Sequence, residues 1–528
     1  MDAEAIPDPR DGRAVTEPLP LGLLSARALP RDVTLDVGAV VIGTGAGGSI
    51  ALRELARAGI DALALEEGSD HLARDMVQRE DRMLPELFQE RAGRCTDDFA
   101  ITVLQGRGVG GSTIHNTNLC KRTPPEILDL WARRHAVVGC SASEMELDFQ
   151  TIERDLGVTA IDPLAINANN DVLRRGVTAL GWRGGVLSHN RSGCVGSGFC
   201  ELGCAYDAKN NARKVVLPDA IAHGARILCD ATAFRILHDG ARVTGVLARA
   251  ASGATITVRA KVVVLAASAV GSAALAIASN VPDPHAQHGR RLHIHPGGVV
   301  AGVFDGEGAP PIEGWRGIPQ SYECTEHLDF AEGSDRRAWI TTAFAHPIGT
   351  ATAIPGFGAA HMTRMRDYPR LAVLTAMVHD ESEGTVYLTP GDGRTAIRYR
   401  LSDADRGQLA RGLRGCAEIL LAAGAREVLV PAIPARVVRS RADLAMIDAE
   451  LGRPHRMALT AVHPMGTMRL GEDPTRSVVR STGEHHQLRG LFVADGSLFP
   501  TSLGGPPQIS IYAFALHLSR YLVEAARR

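Results

Sequence analysis

Residues 39–48, Ala-Val-Val-Ile-Gly43-Thr44-Gly45-Ala46-Gly47-Gly48, constrain the fold more than any other stretch of this chain. The apolar run reads as a buried strand, the glycines as a tight turn, and the residues beyond as a helix. Such a turn lets the backbone approach a pyrophosphate, whose charge is met by free N–H groups and the positive end of the helix dipole. The turn alone would suit any α/β domain. Here a second strand, Ala62-Leu-Ala-Leu65, ends in Glu66, at the spacing needed to accept ribose hydroxyls. The pair predicts a dinucleotide-binding α/β domain.

The rest of the composition sets limits. A chain of 528 residues is long enough for about three to four domain-sized units. With 45% hydrophobic and 22% charged residues it can bury a large core. Its net charge of -2 leaves no basic surplus, which argues against nucleic acid as a partner and against polybasic membrane attachment. There is no apolar run of about 18 residues, so no membrane span is expected. Residues 1–36 lack the basic start, apolar centre and small-residue cleavage site of a secretory signal. The expected location is the cytoplasm. Nine cysteines, an odd and mostly scattered set, fit a reducing compartment better than a disulfide framework.

Along the chain, residues 1–36 read as a draped lead-in and 70–94 as a polar helical stretch. A second glycine-rich loop follows, Gly106-Arg-Gly-Val-Gly110-Gly111-Ser-Thr-Ile-His115-Asn116, then helical patterns through 124–157. Val262-Val-Val-Leu-Ala-Ala267 reads as a buried parallel strand. Residues 295–400, with alternating apolar and polar runs, read as an antiparallel platform. Residues 403–425 have the periodicity of an amphipathic helix, and nucleotide-type signals resume after 455.

Five ordered motifs resemble the glucose–methanol–choline (GMC) oxidoreductases: the first glycine turn with Glu66, the Gly110-Gly111-Ser-Thr-Ile-His115-Asn116 loop, the Val-Leu-Ala-Ala-Ser strand end, His463-Pro-Met-Gly466-Thr467, and Val-Ala-Asp495-Gly496-Ser with its following Pro-Thr. The region Asn211-Ala-Arg-Lys-Val-Val-Leu-Pro218 and the loop around His293 and His295 look most like the long-chain-alcohol-oxidase-like bacterial branch. The resemblance implies a Rossmann-like FAD-binding domain with an inserted α+β substrate domain built on an antiparallel sheet. It divides the chain into a lead-in (1–36), FAD-binding parts (37–150, 205–294 and 455–528), a loop segment (151–204) and a substrate-binding part (295–454).

The resemblance implies FAD as cofactor and a small-molecule alcohol as substrate, with oxygen or an electron carrier as acceptor. Gly43, Gly45 and Gly48 would approach the pyrophosphate and Glu66 the adenosine ribose. Gly110, Gly111 and Asn116 would line the flavin, Ala233 would touch the adenine end, and Asp495 and Gly496 would reach the ribityl and pyrophosphate region. His463 takes the family's base position, removing the hydroxyl proton while hydride leaves carbon for flavin N5. His115 stands where some relatives bond the flavin covalently; the alternative is FAD held without a bond.

Two places depart from the family's pattern. Pro506 occupies the position where relatives place a polar partner for the substrate oxygen, and it has no side-chain hydrogen bond to offer. Another pocket residue is expected to take over. The gap keeps a non-redox lyase in view as an alternative. Cys194, Cys200 and Cys204 have the spacing of the iron–sulfur loop found in electron-transferring relatives, yet three buried thiols, or one disulfide and a leftover, serve equally; no metal site is expected. His293 and His295 are expected to be structural rather than metal ligands.

Overall fold

The strand Val33–Ile42 is the spine of the larger of two main sheets in the computed structural model, which describes residues 22–305, 311–354 and 356–528. It lies between Ala62–Leu65 and Thr255–Leu265, parallel to both. Arg226–Cys229 and Gly22–Ser25 extend the parallel side, and Val243–Ala250 and Ala231–His238 add an antiparallel pair at the opposite edge. Leu491–Val493 joins in parallel beside Val263–Leu265. Ala39–Ile42, Ala62–Leu65 and Val262–Leu265 are buried throughout, which explains their unbroken apolar runs: both faces are covered, so no alternation is needed. The helix Ala46–Arg57 packs on the last helix, Gln508–Arg527.

Part of the expected lead-in is structural. Residues 22–25 pair with Arg226–Cys229, and the spine strand begins at Val33 rather than 37. The remainder of that segment, 1–21, lies outside the described residues. The stretch 70–94 holds one regular α-helix, Glu80–Leu87, flanked by short 3-10 turns. The helix expected at 403–425 spans Asp403–Ala422, capped by Ser402, whose hydroxyl accepts the Asp405 N–H at 3.1 Å.

The second main sheet is antiparallel along its path: Arg436–Val438, Glu427–Val430, Gly297–Val303, Leu371–Val378, Ala338–Thr342, Tyr322–Cys324 and Gly184–Val186. Helices Asp403–Ala422 and Ala168–Leu180 cover one face. A Cβ on Gly412 would stand 2.7 Å from that of Ala376, so helix and sheet touch closely there. Leu459–Ala461 pairs with Gly297 through Thr460, runs parallel to Ile101–Val103, and delivers the chain to His463. The carboxyl ends of the parallel strands, at Gly43, Glu66, Ala266 and Ala494, open toward the second sheet, where ligand sites of such folds form. Among the described residues no helix is long and apolar enough to cross a membrane.

Candidate active site

A cavity of about 1140 Å³ runs between the two sheets. It is lined by residues from nearly every motif: Gly43, Gly45, Glu66, Gly111, His115, Asn116, Ala233, His463, Asp495, Gly496 and Pro506. Gly48 and Gly110 stand behind this wall. A Cβ on Gly48 would lie 2.0 Å from the Gly43 carbonyl, so this glycine permits the turn itself. Gly110, at φ 97°, donates its N–H to Thr44 Oγ1 at 3.0 Å.

The first glycine turn is shaped for a large anionic group. The helix Ala46–Arg57 starts at Gly45 with no side chain capping it, leaving its leading N–H groups open to a phosphate. A Cβ on Gly111 would come 2.8 Å from Gly45 Cα, so the two glycine loops abut. A Cβ on Gly47 would sit 1.6 Å from the Ala494 carbonyl. The sequence reading passed over Gly47, although it is the glycine that lets helix and strand end meet.

Glu66 is buried and accepts four bonds. Thr44 N–H and Oγ1 reach Oε2 at 3.0 and 2.8 Å, and the Gly68 and Gly108 N–H groups reach Oε1 at 3.0 and 3.3 Å. Burial nevertheless pushes its carboxyl up to about 7, against the pull of these donors. Asp495 is held by Ser272 Oγ at 2.5 Å and by the Ser497 N–H at 2.8 Å, and burial raises it too. Asn116 donates to Gln508 Oε1 at 2.8 Å. Lys209, almost wholly buried, donates to the carbonyls of Ile114, Asn116 and Cys200 at 3.0, 2.5 and 3.1 Å, and so fixes the loop that carries His115.

His115 lines the cavity with its ring tilted over Phe88, centroids 4.1 Å apart. Its Nε2 is buried without a partner and faces Gly106, where an added Cβ would stand 2.5 Å away. Burial and the Lys209 charge push its pKa down to about 3.

His463 follows Leu459–Ala461 and is also neutral, its pKa pushed down to about 4 by burial. Its Nδ1 lies 3.2 Å from His295 Nδ1. His295 is itself buried, its Nε2 accepts the N–H groups of Leu503 and Gly504, both at 3.1 Å, and desolvation holds its pKa well below the usual range. Asp380 anchors this segment by accepting the Ile294 and His295 N–H groups at 3.0 and 3.2 Å and the Tyr399 hydroxyl at 2.7 Å. Sequence reasoning gave His295 a purely structural part. Its apposition to His463 depends on contacts between segments 168 residues apart, for which no local signal exists.

Among the described residues no cluster of three or more His, Cys, Asp or Glu side chains is placed to hold a metal ion. Cys194 is exposed, Cys204 half-buried and Cys200 buried, and all three are free thiols. The cavity lining is mixed: Leu84, Leu104, Leu202, Phe344 and Met377 contribute apolar surface, and Glu80, Gln89, Arg94, Glu201 and Gln320 contribute polar groups.

Comparison with known proteins gives this site a family. Family models described as GMC oxidoreductase match residues 39–297 and 380–515. An uncharacterized GMC-type oxidoreductase of Mycobacterium tuberculosis is 32% identical over 90% of this chain and 74% of its own length. A long-chain-alcohol oxidase of Arabidopsis thaliana is 28% identical over 92% of this chain and 68% of its own. Among solved structures, pyridoxine 4-oxidase from Mesorbium loti shares the fold with a TM-score of 0.68 at 19% identity, covering 92% of this chain and 98% of that one. GMC oxidoreductases bind FAD, and the uncapped helix start, the abutting glycine loops and the long cavity fit that cofactor. With both family models matched in order and relatives aligned over nine-tenths of its length, the chain belongs to the GMC oxidoreductases.

Proposed function

We propose that the protein oxidises the CH–OH group of an alcohol to a carbonyl, with His463 as the base that removes the hydroxyl proton. FAD, when bound, supplies the two-electron acceptor. The observation that carries this reading is His463 itself: a neutral imidazole on the wall of a long cavity, with Nδ1 engaged by His295 and, among the described residues, no partner at Nε2. Proton transfer of this kind is worth about 10²–10⁴-fold in rate.

The glycine turn, Glu66 and Asp495 would hold the dinucleotide, Gly111 and Asn116 the flavin, and Ala233 its adenine end. His115 would pack beside the flavin without a bond, since its Nε2 faces Gly106. The apolar part of the lining, Leu84, Leu104, Leu202, Phe344 and Met377, favours an aliphatic alcohol, in keeping with the similarity to long-chain-alcohol oxidases.

The test is anaerobic mixing of the FAD-loaded protein with a series of alcohols while flavin absorbance is followed. A primary aliphatic alcohol should bleach the flavin, and His463→Asn should slow bleaching at least about a hundredfold while FAD stays bound. Flavin that no alcohol bleaches would overturn the reading.

A further inference from the structure

The segment carrying His463 runs antiparallel to His293–His295. His293 and Met465 exchange backbone hydrogen bonds at 3.0 and 2.8 Å. Two residues after His293 and two before Met465, the antiparallel register sets His295 opposite His463. The Nδ1 atoms are 3.2 Å apart and the ring planes are nearly perpendicular, at 85°.

The far side of His295 decides which ring donates. Its Nε2 accepts two backbone N–H groups, from Leu503 and Gly504, and an accepting nitrogen carries no proton. The single proton of neutral His295 is therefore on Nδ1, aimed at His463. His463 accepts there, so its own proton is on Nε2, which has no partner among the described residues. Turning His295 over would strand both N–H groups, and Asp380 holds its backbone in place from the other side.

We propose that His295 is a positioning residue that selects the tautomer of His463, so that the resting enzyme meets the substrate oxygen with an N–H. This provides the polar contact that Pro506 does not. The base form of His463, with its lone pair on Nε2 and its proton on Nδ1, requires His295 to accept at Nδ1 and carry its own proton on Nε2, against the Leu503 and Gly504 N–H groups; it is therefore the minor tautomer, and its population scales the rate of proton removal. The inference rests on the reading of His463 given above and refines it.

The experiment is a two-bond nitrogen–proton correlation spectrum of FAD-loaded protein labelled with 15N-histidine, the His463 signals being assigned by their loss in His463→Asn. The expected result is a protonated, pyrrole-type Nε2 and an unprotonated, pyridine-type Nδ1 for His463. In His295→Ala the proton should move wholly or in part to Nδ1, with FAD content and melting temperature reporting whether the variant folds. A pyridine-type Nε2 in the unaltered protein overturns the proposal, and so does an unchanged tautomer in a folded His295→Ala. If the variant does not fold, the spectrum of the unaltered protein still decides. A flavin that alcohols fail to reduce would remove the proposed reaction and leave the tautomer measurement unaffected, so the two failures are distinguishable.

Discussion

Asn116 donates its side-chain N–H to Gln508 Oε1 at 2.8 Å, although 392 residues separate them. Gln508 in turn donates to the Leu119 carbonyl at 2.6 Å. The glycine-rich loop near the start of the chain and the last helix are thereby fastened across the cavity, directly beside Pro506. Gln508→Leu keeps the size and removes these bonds together with the weaker ones to Asn190 Oδ1 and Cys120 Sγ, leaving each partner short of a hydrogen bond. The expected cost is about 1–3 kcal/mol, seen as a lower melting temperature of the FAD-loaded protein.

Burial also makes stability depend on pH. The pKa values of His115 and His485 are pushed down to about 3, and those of His379 and His463 to about 4, from an ordinary 6.5. For a group whose folded pKa is depressed, the unfolded chain takes up the proton first as pH falls. Stability is therefore fully present above about 6.5 and drains away toward 4. Melting temperatures should be level from neutral pH down to the ordinary histidine pKa and fall steadily below it; a flat profile to pH 4 would contradict neutral burial of these rings.

The same depression of His463 bears on activity. The proposed base must be an uncharged imidazole, and His463 stays neutral down to about pH 4. The acidic limb of kcat/KM should accordingly appear near 4 rather than near 6.5. A limb at the ordinary histidine value would assign control to a different group.

Glu66 gives a sharper test of the cofactor site. All four protein contacts to its carboxylate are donors, from Thr44, Gly68 and Gly108. Glu66→Gln replaces one acceptor oxygen with an NH₂ facing donors, at a cost of about 1–3 kcal/mol. If, as proposed, these contacts shape the turn that would receive the dinucleotide, FAD affinity should fall by about tenfold or more, read from the flavin-to-protein absorbance ratio after dialysis.

How much of this was legible in the sequence follows from the range of each interaction. The strand–turn–helix at 39–57 and the strand into Glu66 are local, and glycine spacing with apolar runs encodes them. The antiparallel platform was legible as alternation, though not its strand order. The pairing of His295 with His463, the clamp of Asp380 on residues 294 and 295, and the bond from Asn116 to Gln508 join segments far apart, and nothing in either segment names its partner. Glu80 is similar: its carboxylate accepts the Ile348 and Gly349 N–H groups at 2.6 and 2.8 Å, capping a helix, Pro347–Ala353, far along the chain. Within the lead-in expected over 1–36, the strand at 22–25 was not legible for the same reason, since an edge strand is recognised by the neighbour it pairs with.

His115 shows how geometry divides alternatives that a motif leaves open. A bond to the flavin needs a ring nitrogen that reaches the cavity. Nε2 instead faces Gly106, where only the missing Cβ leaves it room, and the ring leans on Phe88. Bringing Nε2 round would break that contact and turn the imidazole within a loop fixed by Lys209 at the carbonyls of Ile114 and Asn116. The neutral ring has no positive charge to offer a reduced flavin, so in the proposed reading its part would be steric. Acid precipitation should therefore release the yellow colour into the supernatant, and His115→Leu should retain FAD. Colour that stays with the precipitate, and leaves it in His115→Leu, would show that the ring turns over and forms the bond.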